Sequence, residues 1–85
     1  MKHFVYLLLS KKNGKIFSYV GMTKDLKKRI NLHNSSKGAK YTKGKKWLIA
    51  YKKSYNSKSK ALKEEYMLKH NYKLRNQIKK NFLNR

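Results

Sequence analysis

An Asn-Gly pair between two apolar segments constrains the fold of this chain more than any other local feature. Residues 3–10 form a dense apolar run rich in aromatic and branched side chains, and residues 16–20 form a second run. Asn13 and Gly14 lie between them. This pattern is typical of a β-hairpin closed by a two-residue turn. The chain is therefore predicted to begin with two antiparallel strands.

The register of this hairpin brings two tyrosines to one face of the sheet. A two-residue turn pairs Leu8 with Tyr19 and Tyr6 with Gly21, which makes the two phenols diagonal neighbours. Gly21 leaves open space opposite Tyr6 where a bulkier side chain would fill it. The phenols are either ordinary strand aromatics with hydroxyls at the core edge or part of a site. The register by itself favours ordinary strand aromatics.

The pattern after the hairpin predicts a helix and then a third strand. Thr23 can cap a helix that begins near Lys24, and the polar residues 34–36 end it. The basic segment 35–46 contains two glycines and no regular apolar period, so we expect a mobile loop rather than a packed element. The apolar residues 47–51 then indicate the third strand.

Two further helices complete the predicted architecture. Ser57 or Ser59 can cap a helix over residues 59–72, and a last helix is expected over residues 71–83. The order β-β-α-β-α-α predicts an α/β fold with a small three-stranded antiparallel sheet flanked by helices. A chain of 85 residues is too short for a second core, so we expect a single domain over residues 1–85.

The charge of the chain predicts a polyanionic partner. Lys and Arg number 24 against three acidic residues, which gives a formal net charge of +21. Nucleic acid is the leading candidate, because neutralising phosphates releases condensed counterions. There are two alternative explanations: an AT-rich genome that imposes a Lys- and Asn-rich composition, and attraction of the chain to a membrane surface. Without Cys and with a longest apolar run over residues 4–9, we expect a cytoplasmic protein with no disulfides and no membrane span.

Lysines are concentrated in residues 35–46, which we therefore predict to contact phosphates. The candidate nucleic-acid-binding residues are Lys37, Lys40, Lys43, Lys45 and Lys46.

The first helix is predicted to place a cation and an imidazole toward the sheet. Helical spacing puts Arg29 and His33 in one arc with Leu26 and Ile30. Arg29 can extend its charged end to solvent, and His33 can be a hydrogen-bonded histidine at the core edge. Taken alone, each residue favours a structural role. Taken together, at i and i+4, they are equally consistent with a structural role and with a functional site.

Glu65 is the most informative acidic residue. On a helical wheel it shares an arc with the apolar residues of its helix, namely Ala61, Leu62, Leu68 and Tyr72. Its neighbour Glu64 lies on the flank, as a solvated helix charge would. A buried carboxylate is costly without a partner, so Glu65 requires an inward cation. Arg29 and a metal ion are the two candidates.

In order and spacing, these residues resemble the GIY-YIG endonuclease family, and in particular its short single-domain branch, similar to the catalytic domain of bacterial excision-repair and intron-homing nucleases. The resemblance covers about residues 3–70 and rests on Val5-Tyr6-Leu7, Tyr19-Val20-Gly21, the series Thr23, Leu26, Arg29 and His33, and Ala61-Leu62-Lys63-Glu64-Glu65-Tyr66 with Lys69. Val5 and Val20 depart from the family letters, but only at apolar strand positions.

The resemblance implies a metal-dependent endonuclease that hydrolyses phosphodiester bonds in DNA, with a role in DNA repair and selectivity for DNA structure. It implies that Glu65 holds Mg²⁺ or Mn²⁺ and that Tyr6 is a general base whose phenol must be activated by cationic or metal surroundings. It further implies that Arg29 neutralises the phosphate, and that Tyr19 and His33 orient the water and the tyrosine. The partner would be DNA, branched or damaged forms included, with RNA not excluded. There are two alternatives. One is a non-catalytic nucleic-acid-binding module of the same fold, and the other is an RNA-associated basic protein in which Glu65 only pairs with Arg29.

Overall fold

The Asn-Gly turn closes a long hairpin. In the computed structural model, which describes residues 2–83, β1 (His3–Lys12) and β2 (Lys15–Thr23) pair antiparallel. Asn13 and Gly14 have φ angles of 53° and 77°, the left-handed conformation that a two-residue hairpin turn requires at both central positions. The predicted register is confirmed, since Tyr6 pairs with Gly21 and Leu8 with Tyr19.

The third strand pairs with the opposite edge of β1 and makes β1 the central strand. β3 (Leu48–Tyr55) runs antiparallel to β1, so the strand order is β2-β1-β3. β3 extends beyond the predicted end at residue 51, because its polar continuation still pairs with the first residues of β1. The β1–β3 register shifts between Leu7 and Leu8, which leaves Ala50 as an additional residue in β3.

The helices are α1 (Leu26–Asn34), α2 (Lys58–His70) and α3 (Tyr72–Leu83), which confirms the predicted α/β order. The expected cap of α1 was wrong. Asp25 is the N-cap, and its carboxylate accepts from the Lys28 backbone N–H at 3.1 Å. The Thr23 hydroxyl instead accepts from the Asp25 backbone N–H at 3.2 Å, so Thr23 shapes the turn that precedes the cap.

Ser57 caps α2, accepting from the Lys60 backbone N–H at 3.3 Å. The helix ends at His70 rather than at residue 72, because the Asn71 side chain accepts from the Leu74 backbone N–H at 3.0 Å and begins α3. None of the helices within residues 2–83 is long and apolar enough to cross a membrane.

The two faces of β1 carry separate cores. Val5 and Leu7 pack with Ala61 and Leu68 of α2 on one face. On the other face Tyr6 and Leu8 pack with Trp47, and partly buried side chains of β2, β3 and α1 surround them. The alternation of a strand produces this division, because successive side chains point to opposite faces. Tyr6 therefore faces α1 and the segment that follows it.

The expectation that residues 35–46 form a loop without packing was wrong. A short 3-10 helix spans Lys40–Thr42, and the Thr42 side chain is fully buried. The Trp47 indole N–H donates to the Thr42 carbonyl at 3.0 Å. Asn34 holds the Trp47 backbone on both sides, accepting from its N–H at 2.6 Å and donating to its carbonyl at 3.3 Å. These bonds tie the second half of the segment to the end of α1.

Candidate active site

Tyr6 of β1 is the most deeply buried member of the predicted site. Its side chain has no solvent exposure, and its hydroxyl lies 3.0 Å from His33 Nε2. Burial raises the pKa of the Tyr6 phenol, while the hydrogen bond from Arg29 opposes the increase. Burial is the larger of these opposing causes. Activation of this phenol by cationic or metal surroundings stays a prediction. Tyr6 keeps its proton at neutral pH.

His33 lies on the face of α1 that points toward the sheet, as predicted, and is fully buried. Nε2 contacts the Tyr6 hydroxyl, and Nδ1 lies 2.9 Å from Thr42 Oγ1. Burial and the nearby Arg29 charge both lower the pKa of His33. The imidazole is consequently neutral, and one of its ring nitrogens is free to accept a proton.

Arg29 lies one turn before His33 and is partly buried. Its guanidinium interacts with the hydroxyls of Tyr6 and Tyr19, and the bond to Tyr6 is the main cause that raises the pKa of Arg29. The Arg29 side chain therefore brings a permanent positive charge to the two phenols. Glu65, for which Arg29 was a candidate partner, forms its ion pair with Lys69 instead.

Tyr19 completes a compact aromatic cluster. Its ring centroid lies 6.5 Å from that of Tyr6 and 5.0 Å from that of His33. Tyr41 stacks on Tyr19, with the two ring centroids 6.3 Å apart. Tyr6, Tyr19 and His33 thus come together from β1, β2 and α1, as the sequence predicted.

Glu65 lies at the margin of the apolar stripe of α2 rather than at its centre. Ala61 and Leu68 are buried as expected, but Leu62 and Tyr72 are exposed. The Glu65 side chain is 20% exposed and its Oε1 lies 3.6 Å from Lys69 Nζ. Of the two candidate partners, Arg29 forms no ion pair with Glu65 among the described residues, and Lys69 on the next turn of the same helix reaches the carboxylate instead.

The charge of Glu65 is nevertheless felt at the Tyr6 phenol. Its negative charge contributes to the raised pKa of Tyr6, after burial and the charge of Tyr19. Within residues 2–83 no group of three or more acidic, His or Cys side chains could enclose a metal ion. A single, partly exposed carboxylate fits Mg²⁺ or Mn²⁺, since Mg²⁺ keeps several waters and is usually bound by one or two carboxylates and substrate phosphates.

The five predicted phosphate-binding lysines differ in their surroundings. Lys37, Lys40, Lys43 and Lys46 are exposed. Lys45 is partly buried: its Nζ donates to the Tyr41 carbonyl at 3.0 Å and lies 4.9 Å from the Phe17 ring centroid. Lys45 therefore also stabilises the packing of its segment, and the exposed lysines are the ones free to meet a phosphate.

Gly21 leaves room for the Tyr6 hydroxyl because it has no side chain. The space predicted opposite Tyr6 is filled by the phenol itself, and a Cβ at position 21 would collide with its hydroxyl and ring. We expect Gly21→Ala to displace Tyr6 and to lower the free energy of unfolding by about 1–3 kcal/mol, as overpacking of a core does. Chemical denaturation measures this change, and an unchanged unfolding midpoint would contradict the contact.

The sheet and helices thus form a small basic α/β domain in which Tyr6, Tyr19, Arg29 and His33 come together. The chain belongs to the GIY-YIG family, whose catalytic domain matches residues 2–80. Membership places it in a nuclease family and implies a nucleic-acid substrate.

Relatives and a solved structure agree with this membership. A UPF0213 protein of Staphylococcus epidermidis is 44% identical over 69 residues, which cover 80% of each chain. A UPF0213 protein of Bacillus velezensis is 40% identical over 68 residues, covering 79% of this chain and 66% of the relative. The solution NMR structure of a UPF0213 protein from Bacillus halodurans shares the fold with a TM-score of 0.51 and 38% identity, covering 92% of this chain and 82% of that one.

Sequence reasoning missed the residues that support His33. Thr42 bonds to His33 through its hydroxyl, the Trp47 indole N–H donates to the Thr42 carbonyl, and the Asn34 side chain bonds to the Trp47 backbone. Thr42 lies in a segment whose lysines and glycines indicate a loop, and no periodicity marks it. The one available signal was Trp47, because a buried indole N–H needs an acceptor close by.

Proposed function

We propose that this chain is a divalent-metal-dependent endonuclease that hydrolyses phosphodiester bonds in DNA. The observation that carries the proposal is the convergence of Tyr6, Tyr19, Arg29 and His33 on one cluster, with Glu65 within electrostatic range of it. β1, β2, α1 and α2 supply these side chains from distant parts of the sequence. A hydrophobic core alone does not require two phenols, a guanidinium and an imidazole at one place.

Tyr6 and His33 supply a route for the proton of an attacking water. Burial keeps the phenol protonated, so Tyr6 can take a proton only as it gives up its own. His33 Nε2, 3.0 Å away on a neutral ring, accepts that proton. One proton then passes from water to the Tyr6 oxygen while another passes from Tyr6 to His33, and the imidazolium later returns its proton by way of Tyr6.

Arg29 directly, and Glu65 through a divalent cation, stabilise the negative charge of the phosphate. Arg29 is positively charged and faces both phenols, so it stabilises a phosphate that approaches them. Glu65 would hold the divalent cation, and when bound this ion supplies Lewis-acid stabilisation of the phosphate and of the departing oxygen. Tyr19, which contacts the same rings, orients the attacking water.

The alternative of an RNA-associated basic protein was drawn with Glu65 paired to Arg29, and the pair of Glu65 with Lys69 gives no support to that particular contact. A catalytically idle module of the same fold would bind nucleic acid without needing Tyr6, His33 and Arg29 in one cluster. The intact cluster therefore favours catalysis over binding alone.

Substrate choice is tested with a panel of labelled oligonucleotides of equal length. The purified protein is incubated with Mg²⁺ or Mn²⁺ and linear duplex, single-stranded, abasic and four-way-junction DNA, together with the matching RNA. We expect cleavage of DNA in this panel, with branched or damaged forms cut faster than linear duplex. Cleavage confined to RNA would contradict the proposed substrate, and binding without cleavage of any substrate would support the idle module.

Exposed lysines of residues 35–46 are expected to contribute to DNA affinity. Replacing Lys37, Lys40 and Lys43 with Ala should reduce the slope of log K against log salt by up to about three, since each neutralised phosphate contributes nearly one. Fluorescence anisotropy over a salt series measures the slope. Replacing Lys52, Lys53 and Lys58 with Ala removes the same charge from outside this segment. Equal slopes in the two variants would place the contacts elsewhere.

A further inference from the structure

A chain of hydrogen bonds leads from Tyr6 into the 3-10 helix. The Tyr6 hydroxyl lies 3.0 Å from His33 Nε2, and His33 Nδ1 lies 2.9 Å from Thr42 Oγ1. Thr42 Oγ1 lies 2.7 Å from the Ala39 carbonyl oxygen. The side chains of Tyr6, His33 and Thr42 have no solvent exposure, so water does not compete for these bonds.

The direction of the last bond decides the direction of the others. A carbonyl oxygen only accepts, so the 2.7 Å contact with Ala39 requires the single hydroxyl proton of Thr42. Thr42 Oγ1 then has only lone pairs to offer His33, and His33 Nδ1 must donate to it. In a neutral imidazole the other nitrogen carries no proton, so Nε2 accepts from the Tyr6 hydroxyl.

The position of Thr42 is itself held by several contacts. Its backbone N–H donates to the same Ala39 carbonyl at 3.1 Å, and its own carbonyl accepts from the Trp47 indole N–H at 3.0 Å. The backbone at Gly38 lies against the imidazole of His33 so closely that a Cβ there would collide with Nδ1. The segment thus packs against the Nδ1 edge of the His33 ring through both Gly38 and Thr42.

We infer that Thr42 is a positioning residue, whose hydroxyl, committed to the Ala39 carbonyl, holds His33 in the Nδ1–H tautomer and so keeps Nε2 available to the Tyr6 proton. This inference rests on the proposed function, in which His33 Nε2 accepts that proton. Thr42 itself touches neither the phenol nor the phosphate in this scheme. With the opposite tautomer, Nε2–H would face the Tyr6 oxygen as a donor and could not take its proton.

Long-range ¹H–¹⁵N NMR of the imidazole tests the inference without any cleavage assay, because a protonated and a bare ring nitrogen have distinct ¹⁵N shifts. The measurement is made on the full chain above neutral pH, with His33→Gln to assign the signals. We expect Nδ1–H in the wild type and in Thr42→Ser, which keeps the hydroxyl. We expect Thr42→Val, which has the same shape without it, to lose the single tautomer.

The same variants are then assayed for cleavage with Mg²⁺ and plasmid DNA. We expect Thr42→Val to lower kcat by about 10- to 100-fold, as loss of a group that orients a catalytic side chain does, with KM little changed. Thr42→Ser should recover most of the activity. An Nε2–H tautomer in the wild type, or an unchanged tautomer and kcat in Thr42→Val, would overturn the inference.

Two further outcomes keep the inference separate from the proposed function. If Thr42→Val does not fold, the inference is tested by the wild-type tautomer and by the activity of Thr42→Ser. An Nε2–H tautomer in a wild-type protein that cleaves DNA would overturn the role of Thr42 but not the proposed function. A wild-type protein that shows Nδ1–H but cuts no nucleic acid would overturn the proposed function, and with it the catalytic purpose of the tautomer.

Discussion

Glu65→Gln is expected to abolish metal-dependent cleavage while DNA binding persists or tightens. The change keeps the volume of the side chain and removes the carboxylate that we propose holds Mg²⁺. One fewer negative charge then faces the phosphates. Because the ion-pair partner is the half-exposed Lys69, the free energy of unfolding should change by no more than about 1 kcal/mol. Nicking of plasmid DNA across a magnesium titration, with thermal unfolding, measures both effects.

Glu64→Gln is the matched control. It removes the same charge from the adjacent residue of α2, which borders Tyr55 rather than the tyrosine cluster. We expect near-normal cleavage from this variant. Equal activity in Glu65→Gln and the wild type would end the assignment of Glu65, and equal losses in both variants would point to a general effect of charge.

Tyr6→Phe is expected to lower cleavage by about 10²-fold or more, because it removes the hydroxyl through which we propose the proton passes. The ring remains in place beside Gly21, so DNA binding should be nearly unchanged. The free energy of unfolding should fall by about 1 kcal/mol, since the buried hydrogen bond to His33 is lost. Single-turnover cleavage and chemical denaturation separate the two effects.

Tyr51→Phe provides the comparison for this change. Tyr51 packs on the opposite face of the sheet with Val5 and Leu7, so the loss of its hydroxyl should leave cleavage unaffected. Full activity in Tyr6→Phe together with reduced stability would return Tyr6 to the role of an ordinary core aromatic.

The central sheet was predictable because its determinants are local. The Asn13-Gly14 turn fixes the hairpin register, and the register alone places Tyr6 opposite Gly21. The helix caps were less certain, since Thr23 and Asp25 can both accept a backbone N–H and only the path of the chain decides between them. The end of β3 depends on its pairing with β1. The end of α2 depends on the hydrogen bond of the Asn71 side chain.

The site was only partly accessible from the sequence. Helical spacing brought Arg29 and His33 toward the sheet, which the structure confirms. The sequence did not show that Lys69 outcompetes Arg29 for Glu65, because a partner one turn away on the same helix needs no tertiary contact. The contact of Thr42 with His33 could not be predicted either, since it arises from the packing of a lysine-rich segment that has no apolar periodicity.

Incubation of the purified wild-type protein with supercoiled plasmid tests the proposed activity most directly. Reactions with Mg²⁺, with Mn²⁺ and with a chelator in place of metal are compared on an agarose gel, at a salt concentration where binding is confirmed. Our account predicts conversion to nicked circles and then to linear DNA only when metal is present. Plasmid that is bound but stays supercoiled with either metal, or that is cut equally in the presence of the chelator, would contradict it.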